Sequence, residues 1–229
     1  MSTWLVTGSS RGIGLELCKV LLAKGHQVIG ACRNPEGCRD HWELSSDFKS
    51  KFKSIKLDVL NDDDIQKLPE AIGDQPLDCL INNAGVLLGE KDRLVNLNYD
   101  ELLKSFQVNT IAPMKITASL IPSLSKSKNP KVSHITSKMG SITDNTSGGY
   151  HAYRMSKAAL NMFHKGFSKD FPMICSLVLH PGWVQTSMGG SSAPIAPIDS
   201  AEGLIDVIER ATIRDSGSFF DFRGERIPW

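Results

Sequence analysis

Thr3-Trp4-Leu5-Val6-Thr7-Gly8-Ser9-Ser10-Arg11-Gly12-Ile13-Gly14-Leu15 lies at the start of the chain and decides how the rest is read. An apolar, β-branched run passes directly into a glycine-rich turn. Gly12–Lys24 follows, with Ile13, Leu17, Val20 and Leu21 at helical spacing and Gly25 as a C-cap residue. Strand, glycine loop and helix in that order let backbone N–H groups at the helix N-terminus approach a pyrophosphate. The spacing is G-x-x-x-G-x-G rather than the commoner G-x-G-x-x-G, and glycine also serves plain turns. Placed between the first strand and the first helix, the loop from Gly8 through Ser10, Arg11, Gly12 and Ile13 to Gly14 reads as a nucleotide cradle.

Outward from this stretch, short apolar runs alternate with longer amphipathic ones. Strands are predicted at Thr3–Thr7, Gln27–Cys32, Phe52–Leu57, Leu77–Asn82, Lys131–Thr136, Ile174–His180 and near Ser218–Phe222. Several are apolar almost throughout, as strands covered on both faces must be. Helices are predicted at Asp62–Ile72, Tyr99–Leu124 with a kink or break at Pro113, His151–Asp170 and Ser200–Ala211. The alternation predicts right-handed βαβ units in one α/β domain over residues 1–229. Its core is a doubly wound, Rossmann-type parallel sheet of about seven strands with helices on both faces. Thr186–Asp199, with Gly189-Gly190, Pro194 and Pro197, reads as a long loop of the kind that forms lids or stays disordered.

Composition narrows the function classes. The chain has 229 residues, 41% hydrophobic and 22% charged, which excludes a disordered, collagen-like or coiled-coil protein. Lys plus Arg number 26 against 25 acidic residues, so no net field draws the surface to nucleic acid or an anionic membrane. The five cysteines form no C-x-x-C pair, so neither a disulfide framework nor a metal site is expected. With no h-region and no long apolar run, a cytoplasmic location is expected.

Which dinucleotide the loop would hold is read from the end of the second strand. An NAD site uses Asp or Glu ~20 residues past the loop for the ribose 2′-hydroxyl. Here the sequence is Ala31-Cys32-Arg33-Asn34-Pro35, with no acid before Glu36. Arg33, together with Arg11, suits a 2′-phosphate, so NADP(H) is expected over NAD(H). Asp58 and Asn82-Asn83-Ala84-Gly85 end the third and fourth strands, on the edge where an open parallel sheet forms its ligand crevice. Turn chemistry alone also explains those residue types.

The richest stretch is Tyr150-His151-Ala152-Tyr153-Arg154-Met155-Ser156-Lys157. Tyr153 and Lys157 are four apart on a predicted helix and share a face. An ammonium beside a phenol lowers its pKa from ~10, and a tuned phenol can protonate a carbonyl oxygen. A tyrosine packed by its ring under a stretched lysine gives the same spacing. Tyr150 and Arg154 form a competing pair, which the permanent charge of Arg would hold as a static one. Ser137 closes the fifth strand and can bond a substrate oxygen. Asn109 lies mid-helix, a poor place for Asn unless its amide is employed.

These segments together resemble the short-chain dehydrogenase/reductase family, over nearly the whole chain. The matches run in order through Thr7-Gly8-x-x-x-Gly12-Ile13-Gly14, Asp58-Val59, Asn82-Asn83-Ala84-Gly85, Val108-Asn109, Ser137, Tyr153-x-x-x-Lys157 and Pro181-Gly182-x-Val184-x-Thr186. The resemblance implies Tyr153 as general acid/base, Lys157 as its tuner and a ribose ligand, and Ser137 as the group orienting the carbonyl. It implies that Asn109 holds a water in the proton relay and that Pro181, Gly182, Val184 and Thr186 dock the nicotinamide. Asp58, Val59, Asn83, Ala84 and Gly85 are implied cofactor contacts.

Ser137 and Tyr153 stand sixteen apart, longer than the usual family spacing, so Ser141 is a rival for the serine. Thr136-Ser137-x-Met139-Gly140-Ser141-Ile142 and His180-Pro181-Gly182-Trp183-Val184 look like the subgroup of C-factor signalling proteins and Sniffer carbonyl reductases. The expected activity is NADPH-dependent reduction of a small-molecule ketone or aldehyde to an alcohol. Val86, Met139, Ile142, Trp183 and Met188 are candidates for the apolar pocket wall. The alternative is a cofactor-binding signalling or regulatory protein with little turnover. A homodimer is expected through Tyr99–Leu124 and the helix of Tyr153.

Overall fold

The computed structural model describes residues 1–89 and 93–229. Among them, seven strands form one parallel sheet in the order β3-β2-β1-β4-β5-β6-β7. They are β1 (Thr3–Thr7), β2 (Gln27–Cys32), β3 (Phe52–Lys56), β4 (Cys79–Asn82), β5 (Lys131–Ile135), β6 (Cys175–His180) and β7 (Ser218–Asp221). Parallel neighbours cannot be joined by tight turns, so each crossover runs over a face of the sheet. Strand order reverses between β1 and β4, which opens a crevice at their carboxyl ends.

Alternation along β1 divides the core into two layers. Trp4 and Val6 pack with Leu17 and Leu21 of α1 (Gly12–Ala23) and Leu204 and Ile208 of α8 (Pro197–Arg210). Leu5 faces the other way, toward Ile116 and Leu120 of α6 (Ala112–Leu124) and Phe167 of α7 (His151–Asp170). Each such side chain contributes about 1.5–3 kcal/mol by leaving water.

Several expectations are corrected. The helix expected over Asp62–Ile72 is two short ones, α3 (Asp62–Gln66) and α4 (Leu68–Ile72), because Pro69 sits in the first turn of the second. Tyr99–Leu124 is interrupted just before Pro113 rather than at it. It runs as α5 (Tyr99–Phe106), a π-helical turn (Gln107–Ile111) and α6, with Pro113 in the first turn of α6. Proline has no N–H for the carbonyl four residues back, and the wider turn absorbs that loss. The last helix begins at Pro197, a favourable N1 residue, rather than at Ser200.

A helix absent from the sequence reading, α2 (Arg39–Phe48), carries only His41 and Leu44 as fully buried residues. A buried histidine conceals the apolar face that would have announced it. The loop Thr186–Asp199 is neither free nor extended, since Gln185 donates to the Ile195 carbonyl and Ile195 donates to that of Trp183. Among the described residues, no helix is long and apolar enough to cross a membrane.

Candidate active site

A cleft of about 390 Å3 opens at the carboxyl ends of β1, β2, β4 and β5. Its floor is the glycine loop. Gly8 has φ +67°, and a Cβ there would meet the Ala84 Cα at 2.9 Å, so the loop and the end of β4 touch backbone to backbone. Gly14 is closed more tightly still, since a Cβ would lie 2.3 Å from the Gly8 carbonyl oxygen. Asn83 fastens the same junction. Its Nδ2 donates to the carbonyls of Thr7 and Gly8, while the Thr7 hydroxyl accepts from the N–H groups of Asn83 and Ala84. The Asn83-Ala84-Gly85 segment is therefore first a brace for the loop.

Arg11 occupies the N-cap of α1 in an extended conformation, and its side chain caps nothing. The first-turn N–H groups thus receive no acceptor from their own cap, which suits an anion. Arg11 and Arg33 both lie on the rim, and among the described residues neither enters an ion pair. Below them His41 is buried with Nε2 3.1 Å from the Ser9 carbonyl and Nδ1 2.6 Å from the Ser54 hydroxyl. Burial holds its pKa below the ordinary value, so a neutral ring supports the loop.

Ser10, Gly12, Ile13, Asp58, Val59, Ala84, Gly85, Pro181 and Thr186 also line the cleft. Gly182 and Val184 do not. Gly182 packs against Ile195 and Phe222, and Val184 is buried beside the same loop. Lys104, Cys32, Thr136 and Ser187 line it without having been singled out from the sequence. Lys104 could have been found, because it stands four residues before Val108, another lining residue. Of the proposed pocket wall, Val86 and Met188 line the cleft, and Met139, Ile142 and Trp183 do not. In the loop Leu87–Asn98, residues 90–92 lie outside the described residues.

Tyr153 and Lys157 reach the cleft from α7 with only 8% and 4% of their surface exposed. Lys157 Nζ donates to the Ile135 carbonyl at 2.9 Å and lies 5.7 Å from the centre of the Tyr153 ring. Burial pulls the lysine down to about 8. The expected acidification of the phenol is reversed in this state. Desolvation pushes Tyr153 up to about 12, and only a hydrogen bond with Ser137 works in the other direction. The phenol is a protonated donor across the neutral range.

Ser137, and not Ser141, is the serine beside Tyr153. The Ser141 hydroxyl instead donates to the Trp229 carbonyl oxygen and accepts from the Asp144 N–H. The competing pair of Arg154 and Tyr150 is not formed, since the Arg154 guanidinium donates to the Met139 carbonyl and the Ser147 hydroxyl.

Asn109 sits in the π-helical turn, fully buried behind Gly85. Its side chain pairs with the Val86 backbone in both directions, at 2.9 Å each, and Nδ2 also donates to the Ser156 hydroxyl. Thr110 donates to the Ser156 carbonyl. The turn is thereby stitched to α7 at the residue before Lys157. A Cβ on Gly85 would lie 3.2 Å from Asn109 Oδ1 and 3.6 Å from Lys157 Nζ, so the backbone there closes directly over both.

A glycine cradle at the reversal point of a doubly wound sheet, with a buried Tyr/Lys pair on the same edge, defines a dinucleotide-fold oxidoreductase. The family model described as short chain dehydrogenase matches residues 2–194. The chain belongs to that family.

C-signal of Myxococcus xanthus is 43% identical over 156 residues, 67% of this chain and 93% of that protein. The structure is similar to carbonyl reductase Sniffer of D. melanogaster, with TM-score 0.94, 33% identity and all of both chains covered. It is also similar to an NADPH-bound carbonyl reductase from chicken fatty liver, with TM-score 0.93 and 30% identity over 100% of this chain and 99% of that one.

Proposed function

We propose that the chain is an NADPH-dependent carbonyl reductase that converts a small ketone or aldehyde to its alcohol, with Tyr153 as the general acid. The observation that carries this reading is a single cleft lined at one end by the glycine loop, Arg11 and Arg33, and at the other by Tyr153 and Lys157. The residues present fit the cofactor. Gly8 and Gly14 keep the cradle free of side chains, the first turn of α1 has no cap, and Arg11 with Arg33 suits a 2′-phosphate. NADPH, when bound, supplies hydride.

The chain's own residues would do the rest. Tyr153 holds the proton that the carbonyl oxygen receives, and the Ser137 hydroxyl orients that oxygen. Lys157 places a positive charge beneath the phenol. Asn109 keeps Gly85 and Val86 closed behind the lysine. Burial of the pair excludes bulk water and strengthens each of these electrostatic effects.

The test is oxidation of NADPH, with NADH in parallel, across ketones, aldehydes and quinones. Turnover with NADPH supports the reading. Tight NADPH binding without reduction of any carbonyl would transfer it to the second reading, a cofactor-binding regulatory protein. The identity with C-signal is the specific observation behind that alternative.

A homodimer fits the exposed apolar side chains of α5 to α7, where Leu103, Ile111, Met114 and Met162 face outward. Sedimentation of wild type against a Met114→Lys, Met162→Lys variant decides it, since a wild-type monomer at micromolar concentration contradicts the assembly.

A further inference from the structure

Two of the five cysteines meet beside the phosphate end of the cleft, and nothing in the proposed chemistry uses them. Cys32 ends β2 and lines the cleft next to Arg33. Cys38, six residues on, is the N-cap of α2 and is half-buried. Its Sγ lies 3.8 Å from the Ser10 carbonyl oxygen of the glycine loop, while Cys32 Sγ lies 3.8 Å from His41 Nδ1. His41 in turn bonds the Ser9 carbonyl, so both thiols rest against the same short piece of loop. Cys38 is close enough to Cys32 to raise the cost of ionising it. The intervening turn is folded back, with Cys38 N–H on the Pro35 carbonyl and Gly37 N–H on Asn34 Oδ1.

We infer that Cys32 and Cys38 form a reversible intramolecular disulfide under peroxide, and that this bond is coupled to occupation of the phosphate end of the cleft. The assignment of roles follows from position. Cys38 is the more accessible thiol, half-buried where Cys32 is buried, so peroxide reaches it first. Cys32 is enclosed, and its burial raises its pKa, so it acts second.

Cys38 thiolate attacks one oxygen of hydrogen peroxide, the O–O bond breaks, and a sulfenic acid and one water result once a proton is taken up. Cys32 sulfur then attacks the Cys38 sulfur, the S–O bond breaks, and a second water leaves with the thiol proton. Two thiols lose two electrons and two protons, and one peroxide becomes two waters. A dithiol reductant reverses the step. Cys18, also near Cys32, is closed to solvent and is not the expected partner.

The bond would draw Cys38 Sγ from Ser10 and fix the turn that carries Arg33. The coupling rests on the cofactor reading above, but the disulfide itself does not. The test is peptide mapping of the intact chain after peroxide, alkylation and trypsin. Cleavage after Arg33 separates the two cysteines, so the bond appears as Gly25–Arg33 joined to Asn34–Arg39, two hydrogens lighter than the free pair. Separate peptides, or Gly25–Arg33 joined to the peptide of Cys18, overturn the assignment.

NADPH titration of the same samples tests the coupling. Affinity is expected to fall about tenfold on oxidation, to recover with dithiothreitol, and to be indifferent to peroxide in Cys38→Ser. A linked pair with unchanged affinity overturns the coupling. A reduced chain without NADPH affinity fails the cofactor reading, whereas the peptide map still decides the disulfide.

Discussion

The two ends of the cleft are built by opposite means. At the phosphate end, backbone meets backbone: Gly8 against Ala84, Gly14 against Gly8, with Asn83 and Thr7 tying the carboxyl ends of β1 and β4. At the chemical end, long side chains are buried and aimed by other buried side chains, as Asn109 and Thr110 hold Ser156 of α7 beside Lys157. Removing an atom should therefore hurt the chemical end, and adding one should hurt the phosphate end. The largest effect falls at the first. Tyr153→Phe keeps the buried ring and removes only the proton donor. Carbonyl reduction should drop at least a thousandfold in kcat/KM while NADPH affinity stays within about threefold. A variant retaining a tenth of wild-type activity would show that another group supplies the proton.

Gly14→Ala probes the other end with a single added methyl group. Its Cβ would lie 2.3 Å from the Gly8 carbonyl oxygen and 2.5 Å from Asn83 Nδ2, neither of which can move without opening the β1–β4 junction. Overpacking of this kind costs about 1–3 kcal/mol or more, and the displaced loop should lose most of its NADPH affinity. Gly166→Ala on α7 is the matched control, since nothing lies within 4 Å of its added Cβ. There the change should stabilise by up to about 1 kcal/mol through helix propensity. Thermal melts of the two variants moving in the same direction would break the contrast.

The same division explains what could be read from the chain. The phosphate end is local: a strand, a turn and a helix in one run of residues, whose glycine spacing already encodes the close approaches. Strand positions follow for a similar reason, because central strands are apolar on both faces. The chemical end is not local. Tyr153 and Lys157 could be paired by their spacing, but no spacing reveals that Asn109 sits in a π-helical turn bonded to Val86 and Ser156. Choosing Ser137 over Ser141 required knowing that Ser141 is taken by Trp229 and Asp144. The helix Arg39–Phe48 was missed because a histidine fills its main buried position. The sequence shows the charge of Lys157 near Tyr153 but not the burial of the phenol, and burial is the larger effect on its pKa.

Arg11 and Arg33 sit at the phosphate end yet act through side chains, so they sharpen the comparison. Each is free to meet a 2′-phosphate, and a charge-assisted hydrogen bond of that kind is worth about 1.5–3 kcal/mol. Arg11→Ala and Arg33→Ala should each weaken NADPH about ten- to a hundredfold and leave NADH within about twofold, read by titration of both. Equal losses for the two cofactors would place the arginines on the shared pyrophosphate instead, and the selectivity reading would be withdrawn.

The smallest effect concerns the cost of holding Lys157 where it is. Its pKa is lowered from 10.5 to about 8 by burial alone. Between those values the unfolded chain carries a proton there that the folded chain has released. Stability therefore rises with pH through that window, and the penalty is fully present below about pH 7. From pH 7 to 9 the gain is about 1.4 kcal/mol, or roughly 3–6 °C in melting temperature for a domain of this size.

Lys157→Met removes the titration, so the relevant quantity is the difference between wild-type and variant melts, which should shift toward wild type by that amount. The buried thiols of Cys79 and Cys175 are raised above their ordinary range, which erodes stability above pH 9 in both proteins equally and cancels in the difference. Tyr153, raised to about 12, erodes stability in the same sense as the thiols and only at still higher pH. A difference flat from pH 7 to 9 would mean that Lys157 keeps a solution-like pKa, and that its ammonium is stabilised by something other than the Ile135 carbonyl.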